Sequence, residues 1–297
     1  MQNQHVMRDP VTQYPRPPFD EQSQAAPGLD REMNPRPDCG EESYVGSGKL
    51  KGRRALVTGG DSGIGKAVAI AFAREGASVV FSHLPEEAAD AEVSLKLLRA
   101  AGVKALAIPG DLSEEAFCND LVQRAARELG GLDIVANIAG KQVAQNNIRD
   151  ITTEQFDRTF RTNVYALFWI CKAALPLLPK GATIINTASI QSYVQSAHLL
   201  DYASTKAAIV AFTKALAKEV AADGVRVNAV APGPIWTVLQ PSGGQPPERI
   251  PDFGKHTPLG RPGQPAECAP IYVLLASQES SFVTGEIYGV TGGNPIH

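Results

Sequence analysis

Tyr202 and Lys206 stand four residues apart in a stretch with helical spacing, thirteen residues after Ser189. Four residues is slightly more than one helical turn, so phenol and ammonium share a face. A phenol of ordinary pKa about 10 loses its proton more readily beside a cation. It then serves as a general acid or base near neutral pH. Ser189, at the end of a predicted strand, offers a hydroxyl that could hold a substrate oxygen beside Tyr202. With a glycine-rich turn upstream, the set points to hydride transfer between a nicotinamide and a carbonyl or alcohol carbon.

That turn reads Thr58-Gly59-Gly60-Asp61-Ser62-Gly63-Ile64-Gly65, between an apolar run and a helical stretch. Glycines permit the tight turn and a close approach of backbone to a pyrophosphate, while the helix N-terminus supplies N–H donors and the positive end of a dipole. The spacing is Gly-x3-Gly-x-Gly, which departs from the broader GxGxxG fingerprint. Asp111-Leu112 follows the third predicted strand, where the carboxylate could accept from an adenine amine or cap the next helix. Asn137-Ile138-Ala139-Gly140 follows the fourth, and its small residues allow close approach to a ribose. At the end of the second strand stand Ser82 and His83. An acid there would favour NAD and a base NADP. Neither is present; with no acid to repel a 2′-phosphate, the reading favours NADP(H) over NAD(H).

The elements that must position these residues follow from periodicity. Short apolar runs without alternation occur at 54–58, 77–81, 103–108, 132–137, 182–187, 225–230 and 286–290. Helical spacing occupies 64–75, 86–101, 113–129 with a Ser113 cap, 153–178, 201–222 and 265–276. Alternation of buried strands with helices is the pattern of a doubly wound α/β domain: a parallel sheet of Rossmann type with helices on both faces. Residues 1–48 differ. They hold seven prolines and no apolar period, which makes an extended arm. The spaced apolar residues Tyr14, Phe19, Leu29, Met33 and Tyr44 favour an arm docked on its own or a neighbouring subunit over a disordered tail. The catalytic domain is then 49–297.

Composition excludes several classes. The chain has 297 residues, 43% hydrophobic and 20% charged, with net charge −3, so it carries no nucleic-acid footprint. Its four cysteines, Cys39, Cys118, Cys171 and Cys268, are scattered without CxxC spacing, so no metal site is expected. The greasiest stretch, 164–179, is interrupted by Lys172 and Pro176 and is too short to span a bilayer. With no apolar segment at Met1–Pro10, the expectation is a soluble cytoplasmic protein.

TGGDSGIG at 58–65, NIAG at 137–140, Asn163, Ser189, YASTK at 202–206 and PGPIWT at 232–237 occur in the order and spacing of the short-chain dehydrogenase/reductase family, which the chain resembles from about residue 50 to its end. Its proline-rich arm, with PDCGEESYVGSGKLKG at 37–52, resembles a subgroup of longer bacterial aldehyde or general-stress oxidoreductases and the plant glucose/ribitol dehydrogenase homologues. The resemblance implies that Tyr202 is the acid/base, that Lys206 lowers its pKa and binds the nicotinamide ribose, that Ser189 orients the substrate oxygen and that Asn163, bending its helix, holds a relay water. It implies Thr58, Gly59, Gly63, Ile64 and Gly65 at the pyrophosphate, and Asp111 and Leu112 at adenine. Asn137, Ala139 and Gly140 would face the ribose, and Pro232, Gly233, Ile235 and Thr237 the nicotinamide. It also implies a homotetramer. The family commonly has a second Asn where this chain has Ile138.

Residues 238–264 are rich in glycine and proline without regular period, which in a compact domain reads as a lid. With Gln191, Tyr193, His198 and Trp236 it is expected to form the pocket for a small alcohol or carbonyl substrate: an aldehyde, sugar or polyol. One alternative is a 3-oxoacyl-carrier reductase, which would need a basic patch from Arg249, Lys255 and Arg261. Another is a low-turnover cofactor-binding stress or regulatory protein, against which the complete catalytic set argues.

Overall fold

The computed structural model describes residues 3–296. Seven strands form one sheet: β1 (Arg54–Val57), β2 (Ser78–His83), β3 (Ala105–Pro109), β4 (Ile134–Asn137), β5 (Thr183–Thr187), β6 (Arg226–Pro232) and β7 (Ile287–Val290). Their order is β3-β2-β1-β4-β5-β6-β7 and every neighbouring pair is parallel. The chain winds outward from β1 to β3, then returns to lay β4 on the other side of β1. The C-terminal ends of β1 and β4 therefore flank the switch point, where such sheets open a crevice.

Successive side chains on a strand face opposite ways, and both faces are covered. Ala55 and Val57 pack with Val68, Phe72, Leu98 and Tyr272, from α1 (Gly63–Arg74), α2 (Ala88–Ala100) and α7 (Pro265–Ala276). Leu56, between them, packs on the other face with Leu121, Ile170 and Ile209, from α3 (Glu115–Leu129), α5 (Ala166–Ala174) and α6 (Leu200–Val220). Burial of each such Leu or Phe side chain contributes roughly 1.5–3 kcal/mol, which is why the strands read as unbroken apolar runs.

Two local expectations change. Ser113 does not cap α3: Glu114 occupies the N-cap position, and the Ser113 N–H is instead bound by Asp111 Oδ1 at 2.9 Å. The 153–178 region is not one helix. It divides into α4 (Thr153–Phe160), a π-helical turn at Arg161–Tyr165, α5, and a closing 3-10 turn at Leu175–Leu177. The 238–264 segment carries short helical turns at Gln240–Gly244 and Pro247–Arg249. Residues 3–48 lie along their own chain: Tyr44 donates to Glu75 Oε1 at 2.7 Å, and Phe19 and Met33 join Trp236, Val238 and Ile250 in a third apolar cluster. Among the described residues, no helix is long and apolar enough to cross a membrane, and no group of three or more His, Cys, Asp or Glu could hold a metal.

Candidate active site

The sheet delivers Ser189 two residues past β5, and α6 carries Tyr202 and Lys206 alongside. All three are almost wholly buried, and Ser189 lies close enough to the Tyr202 phenol to oppose the rise in its pKa. Ser189 Oγ also accepts the Gln191 N–H at 3.1 Å, which fixes the hydroxyl over the strand end. Lys206 Nζ donates to the Thr187 carbonyl at 2.7 Å and lies 5.5 Å from the centre of the Tyr202 ring. Burial pushes the phenol up to about 12, against the nearby Ser189, and brings the lysine down to about 7. The expected lowering of the Tyr202 pKa by Lys206 is therefore absent here. Lys206 is held beside the ring by the Thr187 carbonyl, and burial dominates the phenol.

Asn163 sits inside the π-helical turn. Its Oδ1 accepts the Lys141 N–H at 2.7 Å, and its Nδ2 donates to Lys141 O at 2.9 Å and Thr205 Oγ1 at 3.0 Å. The wider turn and the side-chain bonds occur at one residue, a recurrent cause of a distorted helix. The site converges at Gly140, where a Cβ would stand 3.6 Å from both Asn163 Oδ1 and Lys206 Nζ. Sequence reading missed Thr187, which acts through its backbone carbonyl, and Thr205 and Tyr272. Tyr272 reaches Thr187 Oγ1 at 2.8 Å from α7; only the fold joins them.

At the glycine turn, Gly63 has φ +49°, and a Cβ on Gly65 would lie 1.8 Å from the Gly59 oxygen. The helix start is thus pressed directly onto the turn, a cradle that only glycine fits. Thr58 Oγ1 accepts the N–H groups of Ile138 and Ala139 at 2.8 and 3.0 Å, tying the turn to the chain after β4. Ser62 occupies the α1 N-cap position without a side-chain capping bond, and Ile64 follows in its first turn. The Asn137 amide turns beneath the crevice to Asn186 Oδ1 at 3.0 Å and is not offered to a ribose. Asp111 likewise spends its oxygens on the Ser113 N–H and Arg158, with Leu112 buried beside it. Burial raises its pKa less than these bonds lower it.

Ser82 and His83 are buried at the end of β2; Ser82 O accepts the Gly60 N–H at 3.0 Å, and His83 Nδ1 meets the Leu84 carbonyl at 2.7 Å. The same corner holds acids that strand-end reading overlooked. Glu87 Oε2 accepts the Leu84 N–H at 2.9 Å. Burial, then Glu87, raises Asp61, and burial raises Glu87. The pair resists carrying two negative charges at once.

On the nicotinamide side, Pro232, Ile235 and Thr237 are buried, and Gly233 N donates to Val290 O at 2.9 Å. Trp236 corrects an expectation: it is 0% exposed, stacked on Phe19 and inaccessible to a substrate. Gln191 is committed at both ends of its amide to Ser196, at 3.0 and 2.7 Å. His198 Nε2 pairs with Gln245 Oε1 at 3.0 Å and its Nδ1 with Arg249 at 3.1 Å, which joins α6's approach to the lid. Tyr193 remains half-buried. Of the three cations expected in a basic patch, Arg261 is buried on Glu267 at 2.7 Å, Lys255 is paired with Asp252 at 3.0 Å, and Arg249 is exposed beside His198.

Comparisons with known proteins agree with this geometry. A family model described as Enoyl-(Acyl carrier protein) reductase matches residues 59–294. An uncharacterized oxidoreductase of Escherichia coli, YghA, is 60% identical, covering 98% of this chain and 99% of that protein. The glucose and ribitol dehydrogenase of Daucus carota is 43% identical, covering 93% and 96%. A short chain dehydrogenase from Burkholderia cenocepacia, solved in complex with NADP, superposes with a TM-score of 0.77 at 31% identity, covering 82% of this chain and 98% of that one.

Proposed function

This chain belongs to the short-chain dehydrogenase/reductase family of oxidoreductases, and from that membership we propose that it interconverts an alcohol and a carbonyl group with NADP(H) as the favoured dinucleotide and NAD(H) as the alternative. The observation that carries the reading is the grouping of Ser189 beside Tyr202, of Lys206 beside the Tyr202 ring, and of Lys206 and Asn163 at Gly140, after the strand that flanks the switch point of the sheet. The turn fits a dinucleotide, because glycine at 63 and 65 packs the start of α1 tightly onto the turn, where its N-terminal N–H groups can meet phosphate oxygens.

The bound nicotinamide supplies or accepts the hydride. Ser189 holds the substrate oxygen beside Tyr202. Tyr202 gives that oxygen its proton in reduction and takes it in oxidation. Lys206, held by Thr187 O, stands ready to carry positive charge beside the phenol as it ionises. Asn163 fixes the backbone at Lys141 and the Thr205 hydroxyl, which keeps α6 in register with the turn after β4.

The substrate we infer is a small aldehyde, sugar or polyol. The plant relative's name supports this class, and of the three lid cations Arg261 is buried on Glu267 and Lys255 is paired with Asp252, which weakens the case for an acidic carrier. We infer a homotetramer, since Phe156, Tyr165 and Phe168 expose apolar surface along α4 and α5, and a cytoplasmic location, in keeping with four buried unpaired cysteines.

The deciding experiment is an absorbance screen of purified protein. NADPH and NADH are tested with aldehydes and ketones, and NADP+ and NAD+ with sugars, polyols and alcohols. Turnover with one pair is the expected result. Cofactor binding without turnover across the panel would favour a low-turnover binding protein.

A further inference from the structure

Residues 19–44 of the arm bridge two walls, α1 and the lid. On one wall is α1. Its Lys66, almost wholly buried, meets Glu41 at 2.8 Å and Asp30 at 3.5 Å, and its Arg74 donates to the carbonyls of Gly40, Glu41 and Tyr44. On the other wall is the lid. Phe19 N donates to Pro251 O and Gln24 N to Pro241 O, each at 2.9 Å. Gly28, at φ +80°, lies so close that a Cβ would stand 2.6 Å from Val238 Cγ2.

The centre of this contact is Trp236. Phe19 stacks on it with ring centres 4.3 Å apart, and its indole Nε1 donates to Pro35 O at 2.8 Å. Phe253 closes the far side at 6.1 Å. The backbone N–H of Trp236 donates to Gly263 O at 2.9 Å, and Gly263 N returns to Pro234 O at 2.9 Å. The next residue, Thr237, presses its methyl onto the start of α1, 3.1 Å from where a Cβ of Gly63 would be.

Resting on the cofactor reading above, we propose that Phe19 and Pro35 of the arm act through Trp236 as a clasp that holds residues 235–237 over the N-terminus of α1. Trp236 is thereby a positioning residue for the dinucleotide. A lid that must order on binding loses affinity to conformational entropy. Here the ordering takes place on folding, because aromatic stacking and an otherwise unmet indole donor tie the segment down in advance.

The test compares Phe19→Ala and Trp236→Phe with the unaltered protein by two independent readouts. The first is trypsin cleavage after Arg249 and Lys255 of the lid without cofactor, with circular dichroism as a check that each variant is folded. Cleavage of Phe19→Ala is expected to be about tenfold faster, with Trp236→Phe shifted less in the same direction. The second is NADPH affinity from its fluorescence. Binding by Phe19→Ala is expected to weaken about tenfold, and KM for NADPH to rise accordingly while kcat stays within about twofold. Folded variants with unaltered lid cleavage and unaltered affinity would overturn the clasp. If the unaltered protein binds neither NADPH nor NADH, the oxidoreductase reading falls, and lid cleavage alone decides the clasp.

Discussion

The ammonium of Lys206 lies 5.5 Å from the centre of the Tyr202 ring and is anchored on the Thr187 carbonyl. The pair stands one helical turn apart, as its spacing requires, and burial shifts both groups toward their neutral forms. Burial pushes Tyr202 up to about 12 and brings Lys206 down to about 7. The phenol is thus set to hold its proton until a bound substrate gives it somewhere to go.

Replacing Tyr202 by Phe removes that proton and little volume. Turnover should fall by at least about 10²–10⁴-fold, while NADPH fluorescence titration should give the original affinity. Substantial residual activity would remove Tyr202 from the acid/base role.

Lys206 makes a stability prediction with a definite sign. Its folded pKa of about 7 lies below the ordinary 10.5. Between those values the unfolded chain binds more protons, so this contribution to stability rises with pH across that window. It is complete above 10.5 and lost as pH falls towards 7. Lys206→Met has no such dependence. In urea melts its stability relative to the original protein should be highest near pH 7 and decline towards pH 10; a constant difference would contradict the lowered pKa.

Gly65→Ala places a methyl 1.8 Å from the Gly59 oxygen. The turn must shift, at a cost of roughly 1–3 kcal/mol. Thermal melts should show the loss, and cofactor titration should show binding reduced beyond detection. A variant that kept NADPH affinity would mean that this turn does not seat the pyrophosphate.

Buried Asp61 lies near half-buried Glu87 at the end of β2, close enough that Glu87 raises it. A 2′-phosphate near them would feel less repulsion with the pair protonated. The ratio of NADPH to NADH affinity should therefore fall as pH rises from 5.5 towards 8, roughly the range above an ordinary carboxylic acid in which a raised one titrates. Glu87→Gln should raise the ratio and flatten its pH dependence. A ratio constant with pH in both proteins would place the 2′ position elsewhere.

Much of this molecule is determined by local sequence. Unalternated runs such as Arg54–Val57 and Thr183–Thr187 can only be strands buried on both faces, and the spacing of Tyr202 and Lys206 assigns them one helix face. Glycine at 63 and 65 is dictated by a positive φ and by a contact that admits no Cβ. Such features depend on short-range sterics and periodicity, which a chain displays without being folded. Other features come from long-range contacts. Trp236, a plausible pocket wall by composition, is buried because Phe19 and Pro35, some two hundred residues earlier, fold back upon it. Asn137 turns inward because Asn186 is the adjacent residue on the neighbouring strand. The protonation preferences of Tyr202 and Lys206 oppose the simple expectation because desolvation is a property of the whole packed interior and not of spacing. Tertiary structure alone decided which polar groups meet each other and which face the crevice, since a side chain's partner is set by where the backbone returns.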